Sequence, residues 1–115
     1  MRLAVAVAAG LIVVLAATSA LAETMNVYGW AYHRSTGTVY VTDSVMGVDR
    51  YDRVPADQRL LRALQREGVQ ASDLSARHVG AALDSTMTPG DAEADRRTFI
   101  DRERSRGANV RVVDW

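Results

Sequence analysis

The chain of 115 residues contains no cysteine and no lysine, and its 14 arginines balance 14 aspartates and glutamates, so its formal net charge is zero. The missing cysteines exclude disulfides, thiolate catalysis and thiolate metal ligands. The missing lysines exclude a Schiff base, a Ser-Lys dyad and a phosphate-loop lysine. Because the balanced charge creates no sequence-wide field, we expect no nucleic-acid partner.

Residues 1–22 are typical of an export signal. Arg2 is a short positive start, Leu3 to Ala17 is a continuous apolar run, and Ala20-Leu21-Ala22 is a cleavage site with small residues at its first and third positions. We predict cleavage near Ala22/Glu23, which leaves one small globular domain, residues 23–115, in the periplasm or outside the cell. That domain carries 13 arginines against 14 acidic residues, a net charge of −1.

An uncleaved leader is the alternative. Residues 3–22 are 20 uncharged residues, enough to span a bilayer as a helix. The protein would then be anchored in the membrane. The alanine-rich composition and the cleavage site favour removal of the segment.

Residues 26–46 predict a β-hairpin with its turn at Ser35-Thr36-Gly37-Thr38, because Tyr, Trp, Val and Thr suit a pleated surface and glycine suits the turn. A loop with an even number of residues pairs Tyr32 with Val41 and places most of the aromatic residues on the same face as the valines. A three-residue loop would stack Tyr32 on Tyr40. The even loop predicts one face with Tyr28, Trp30, Tyr32, Val39, Val41 and Val45, and another with Gly29, Ala31, His33, Tyr40, Thr42 and Ser44.

The charged segment 47–54 is predicted to be a connection. A helix is then predicted from Pro55, a residue favoured at a first helical position, to a stop at Gly68. Its leucines at 60, 61 and 64 share one face, whereas the arginines at 59, 62 and 66 lie opposite.

Residues 69–88 allow two interpretations. A short strand at 78–83 separates two helices and is preferred, whereas a helix capped by Ser72-Asp73 is the alternative. Thr88-Pro89-Gly90-Asp91 predicts the start of a second helix, which ends near Arg106 before Gly107. Residues 109–115 predict a final strand.

The element order ββαβαβ predicts a small α/β (α+β) two-layer sandwich. Two crossovers in the same direction would place both helices on one face of a four-stranded mixed sheet. The other face would be open, and the hairpin's small and polar residues would lie on it.

Candidate site residues are few. His33, His78 and Asp43 could bind a metal or act as acid and base if the fold brought them together, but no motif spacing links them. Tyr40, Thr42 and His33 could form a binding surface on the open face. We expect no cofactor and no metal.

Other patterns have both a functional and a structural interpretation. The aromatic residues of the hairpin could stack on a carbohydrate or a protein, or could form the core. Arg96 and Glu103 could form a polar site between helix and sheet, or lie at the helix edge with the arginine head in water. Asp43, Asp49 and Asp52 could bind a cation or pair with arginines. For Trp115, burial in the core is favoured over a partner contact.

The sequence contains no HExxH, GxSxG, GxxxxGK, GxGxxG or calcium-loop pattern. We therefore expect a bacterial-type exported binding module with an unidentified protein or small ligand as partner, rather than an enzyme. The alternatives are a small hydrolase or metal-dependent enzyme using His33, His78 and Asp43, and a membrane-anchored envelope protein.

Overall fold

The computed structural model describes residues 24–80 and 88–115. These residues form one mixed sheet of five strands with two helices, so the predicted α+β class is confirmed. The strands are β1 (Thr24–His33), β2 (Thr38–Thr42), β3 (Met46–Asp49), β4 (Ala76–Gly80) and β5 (Asn109–Val113), and the helices are α1 (Val54–Arg66) and α2 (Pro89–Ser105). The predicted leader, residues 1–22, lies outside the described residues.

The ten-residue strand β1 organises the sheet. On one side it pairs antiparallel with β2, which in turn pairs parallel with β5. On its other side the second half of β1 pairs with β4, and the first half of β1 pairs with β3, both antiparallel. The prediction that 47–54 is only a connection is therefore wrong at its start, because Gly47 to Asp49 belong to β3.

The hairpin between β1 and β2 has the predicted even loop, but its register differs by two residues. Residues 34–37 form the turn, Gly37 has a φ of 65°, and Tyr32 pairs with Val39 rather than with Val41. Because side chains alternate with a period of two, this shift leaves each of them on the predicted face.

The two helices cover opposite faces of the sheet, so the prediction of both helices on one face is wrong. Phe99 and Ile100 of α2 pack with Tyr28, Val39 and Val41. The apolar residues of α1 pack with Ala31, Tyr40 and Val79 on the other side. The crossover rule assumes that α1 joins two neighbouring parallel strands, but the strands it joins, β3 and β4, pair antiparallel with successive parts of β1.

Helix α1 packs tightly on its face. Its buried residues Ala56, Leu60, Ala63 and Leu64 form one stripe, as its leucine spacing predicts. Gly29 of β1 permits this approach, since a Cβ there would lie 3.2 Å from a Leu60 methyl carbon. Pro55 lies in the first turn, and Gly68, with a φ of 79°, follows the end of the helix as predicted.

Helix α2 begins and ends close to the predicted residues. The Thr88 hydroxyl accepts a hydrogen bond from the Asp91 backbone N–H at 3.2 Å, and Gly107 has a φ of 85° after the last turn. Its buried residues are only Ala92, Phe99 and Ile100. Of the predicted strand at 78–83, residues 78–80 lie in β4, and 81–83 are outside the described residues.

Candidate functional site: an aromatic groove beside helix α2

Aromatic side chains line a groove between α2 and the strands β1 and β4. The Trp30 ring stacks on Phe99 with centroids 5.5 Å apart and an interplanar angle of 25°, and the His78 ring lies 6.2 Å from Trp30. Trp30 and Tyr32 are only half-buried. We call the surface formed by Trp30, Tyr32, His78, Phe99 and Arg102 the aromatic groove.

The groove consists of two adjoining clefts that share Trp30, Phe99 and Arg102. The inner cleft, of about 220 Å³, contains polar groups and includes Asp95 and His78. The outer cleft, of about 610 Å³, has more apolar walls and continues past Tyr32 to the C-terminal end of α2. Concave surfaces with apolar rings and a few convergent polar groups are typical of ligand sites.

Strand pairing places His78 in this groove. His78 lies directly across from Trp30 in the β1–β4 pairing, so both side chains lie on the α2 face. A Cβ built on Gly80 would overlap the His78 imidazole, so Gly80 provides the space that the ring occupies. This arrangement depends on the tertiary pairing and not on any local motif.

Tyr28 and Asp95 form the polar contact at the inner end of the groove. The Tyr28 hydroxyl donates a hydrogen bond to Asp95 Oδ2 at 2.8 Å. Burial raises the pKa of the Tyr28 hydroxyl, and the hydrogen bond to the Asp95 carboxylate raises it further. Tyr28 therefore keeps its proton and holds the carboxylate in position.

Arg96 connects α2 to the end of β2. Its guanidinium donates to the Thr42 carbonyl at 3.0 Å and to both Glu93 carboxylate oxygens at 2.8 and 2.7 Å. The hydrogen bond from Arg96 lowers the pKa of Glu93 to about 2. The arginine side chain is only 11% exposed, so the expectation that its head lies in water is wrong. Glu103, the other residue of that prediction, accepts a hydrogen bond from Arg106.

The structure does not bring His33, His78 and Asp43 to one place. The His33 ring is hydrogen-bonded to the Ser35 hydroxyl at 2.9 Å, at the turn end of the sheet. Asp43 follows the opposite end of β2. It lies about 16 Å along that strand from Thr38, which pairs with His33. Among residues 24–80 and 88–115, no group of three His, Cys, Asp or Glu side chains could hold a metal ion.

Tyr40 and Thr42 are not on an open face. Their exposed fractions are 6% and 0%, because α1 covers this side of the sheet. The Thr42 hydroxyl accepts from the Gly29 backbone N–H at 3.0 Å and donates to the Ser44 carbonyl. The prediction of an open face is therefore wrong, and neither side chain is accessible to a partner.

The remaining aromatic predictions divide between core and surface. Tyr28, Tyr40 and Trp115 are buried, and the Trp115 indole N–H donates to the Ser44 carbonyl at 3.0 Å. The core interpretation of Trp115 is therefore confirmed. Trp30 and Tyr32 lie on the predicted face of the sheet, but α2 covers them only in part. The sequence contains no signal for how far α2 would extend over them.

No family model, curated protein or solved structure matches this chain. Within the part of the chain that the structure describes, none of the helices combines the length and apolarity needed for a bilayer crossing.

Proposed function

We propose that the protein is an exported, non-enzymatic binding module and that the aromatic groove holds its ligand. The observation that carries this proposal is the half-exposure of Trp30 and Tyr32 beside a cleft, on a sheet whose other face is covered. Large aromatic side chains in a concave surface provide binding area at a small cost in side-chain entropy. The export part rests on residues 1–22.

The polar groups near the groove support binding rather than catalysis. Tyr28 keeps its proton and donates a hydrogen bond to Asp95, so it is a poor general base near neutral pH. A catalytic site with His78 would require His33 and Asp43. His33 lies at the turn end of β1 and Asp43 follows the opposite end of β2, and neither lines the groove.

A fragment screen observed by NMR tests the binding site. We expect small ring-containing fragments to shift the Trp30 indole and Phe99 resonances, and Tyr32→Ala to reduce these shifts. Tyr51→Ala is the matched control, because Tyr51 is 76% exposed and lies outside the groove. Fragments that shift only α1-side residues such as Tyr40, or that bind Tyr32→Ala unchanged, would contradict the proposal.

Mass spectrometry of the protein from its native host tests export. An N-terminus at Glu23 in an extracytoplasmic fraction is the expected result. An intact protein that starts at Met1 and is found in the membrane fraction would instead favour the anchored alternative.

A further inference from the structure

We propose that the ligand of the aromatic groove is a neutral carbohydrate chain. This inference rests on the proposed binding function and specifies the chemistry of the ligand. Three features of the groove carry it: the spacing of its rings, the hydrogen-bonding groups on its rim, and the balance of its charges.

The rings are spaced along one strand face. Trp30 and Tyr32 are two residues apart on β1, which places their Cα atoms about 6.6 Å apart on the same side of the sheet. The face of an aromatic ring carries negative charge, and the C–H groups on one face of a sugar ring present positive hydrogens to it. Two half-exposed rings in sequence therefore suit successive sugar units.

The rim of the groove offers paired hydrogen-bonding groups. Asp95, Arg102, Glu103 and Arg106 border the two clefts. Asp95 to Ser105 spans about 15 Å of α2, and Arg106 directly follows the helix. Carboxylates and guanidinium groups can each make two hydrogen bonds to neighbouring atoms of a ligand, which matches adjacent hydroxyls on a sugar. A wholly apolar ligand would remove these charged groups from water without offering them hydrogen bonds, at a cost in free energy.

The charges of the rim favour a ligand without charge. Two arginines face two carboxylates, and a Glu103 oxygen lies 3.3 Å from Arg106 and 4.0 Å from Arg102. An anionic ligand would meet Asp95 and Glu103, and a cationic ligand would meet the guanidinium groups. A neutral polyhydroxylated chain meets neither repulsion.

Calorimetric titration of the mature protein with soluble oligosaccharides tests the inference. The probes are neutral chains of glucose, xylose and N-acetylglucosamine, with an oligogalacturonate as the anionic comparison. We expect a neutral chain to bind, and Tyr32→Ala to weaken it about tenfold through the loss of a stacking ring. Tyr51→Ala should bind as wild type does. Raising NaCl from about 50 to 500 mM should leave the affinity unchanged, because screening acts on charges.

Arg106→Gln provides a second variant in case Tyr32→Ala does not fold. Arg106 is exposed and outside the core, so we expect a folded protein whose affinity for the same chain is about threefold weaker. No neutral oligosaccharide binding, or binding unchanged in both groove variants, would overturn the inference. If only the anionic chain or the ring fragments bind, and Tyr32→Ala reduces that binding, the carbohydrate inference fails but the proposed groove function stands.

Discussion

The two faces of the sheet are built differently. On the α1 face, alanines and leucines of the helix meet Gly29 and Ala31, so the backbones approach closely and Tyr40 and Thr42 are sealed from water. On the α2 face, a helix with only three buried residues covers a row of large aromatic side chains. Small residues let α1 pack closely against the sheet, whereas the aromatic rings and the mostly polar α2 leave part of the other face exposed.

This difference separates the closely packed face of the sheet from the face that we propose for binding. The α1 face contributes closely packed aliphatic area, which is the main source of folding free energy. The α2 face keeps part of its ring area accessible beside Arg102 and Asp95, where a ligand can contact it. Substitutions can test the contrast directly.

Leu60→Ala should have the largest effect. Leu60 is fully buried under α1, so its truncation leaves a cavity and should lower the free energy of unfolding by about 3 kcal/mol in urea denaturation. Leu61→Ala is the matched control on the same helix, because Leu61 is half-buried, and should cost about 1 kcal/mol. Equal losses would show that the α1 interface is not selectively packed at Leu60.

Gly29→Ala should cost about 1–2 kcal/mol by forcing α1 away from β1. The added Cβ would lie 3.2 Å from both a Leu60 methyl carbon and the Thr42 methyl. Because the Leu60 contact is a large part of the clash, the cost should shrink when Leu60→Ala is also present. A double-mutant cycle measures this coupling, and strictly additive losses would contradict the close-approach argument.

Tyr28→Phe should lower the free energy of unfolding by about 1 kcal/mol. The substitution keeps the ring against Phe99 but removes the hydrogen bond to Asp95 inside the inner cleft. Tyr51→Phe, on an exposed side chain, should change nothing measurable. A neutral result for Tyr28→Phe would mean that Asp95 is held equally well by its other contacts.

The smallest effect should be a pH dependence of stability from Glu93. Its pKa falls from 4.5 to about 2 in the folded state through the Arg96 hydrogen bond, so the unfolded chain binds more protons between these pH values. The stabilisation is present above pH 4.5 and lost as the pH falls toward 2. It should amount to about 1 kcal/mol or less, because the carboxylate is partly exposed.

Urea denaturation of Glu93→Gln at several pH values checks this assignment. The variant should show a shallower loss of unfolding free energy between pH 4.5 and 2 than the wild type does. An identical slope in the two proteins would assign the acid sensitivity to other carboxylates.

Local patterns in the sequence predicted most elements of the fold. The Thr88 cap, the Gly68 and Gly107 stops and the leucine stripe of α1 act within one or two helical turns, so their effects could be read without the tertiary structure. The hairpin and its two faces followed from alternation, and the two-residue shift in register left the faces intact. Strand β3 was missed because Met46 to Asp49 is short and pairs with a segment some twenty residues away.

The sequence alone thus determined the helices, the hairpin and the sorting of its side chains, together with the missing thiol and lysine chemistry. Only the tertiary structure decided that α1 and α2 lie on opposite faces, that Tyr40 and Thr42 are buried, and that Trp30 and Tyr32 border a groove with His78. These outcomes depend on two short strands, β3 and β4, that pair with successive parts of β1. Such pairing is set by long-range hydrogen bonds and packing, which no local window of sequence contains.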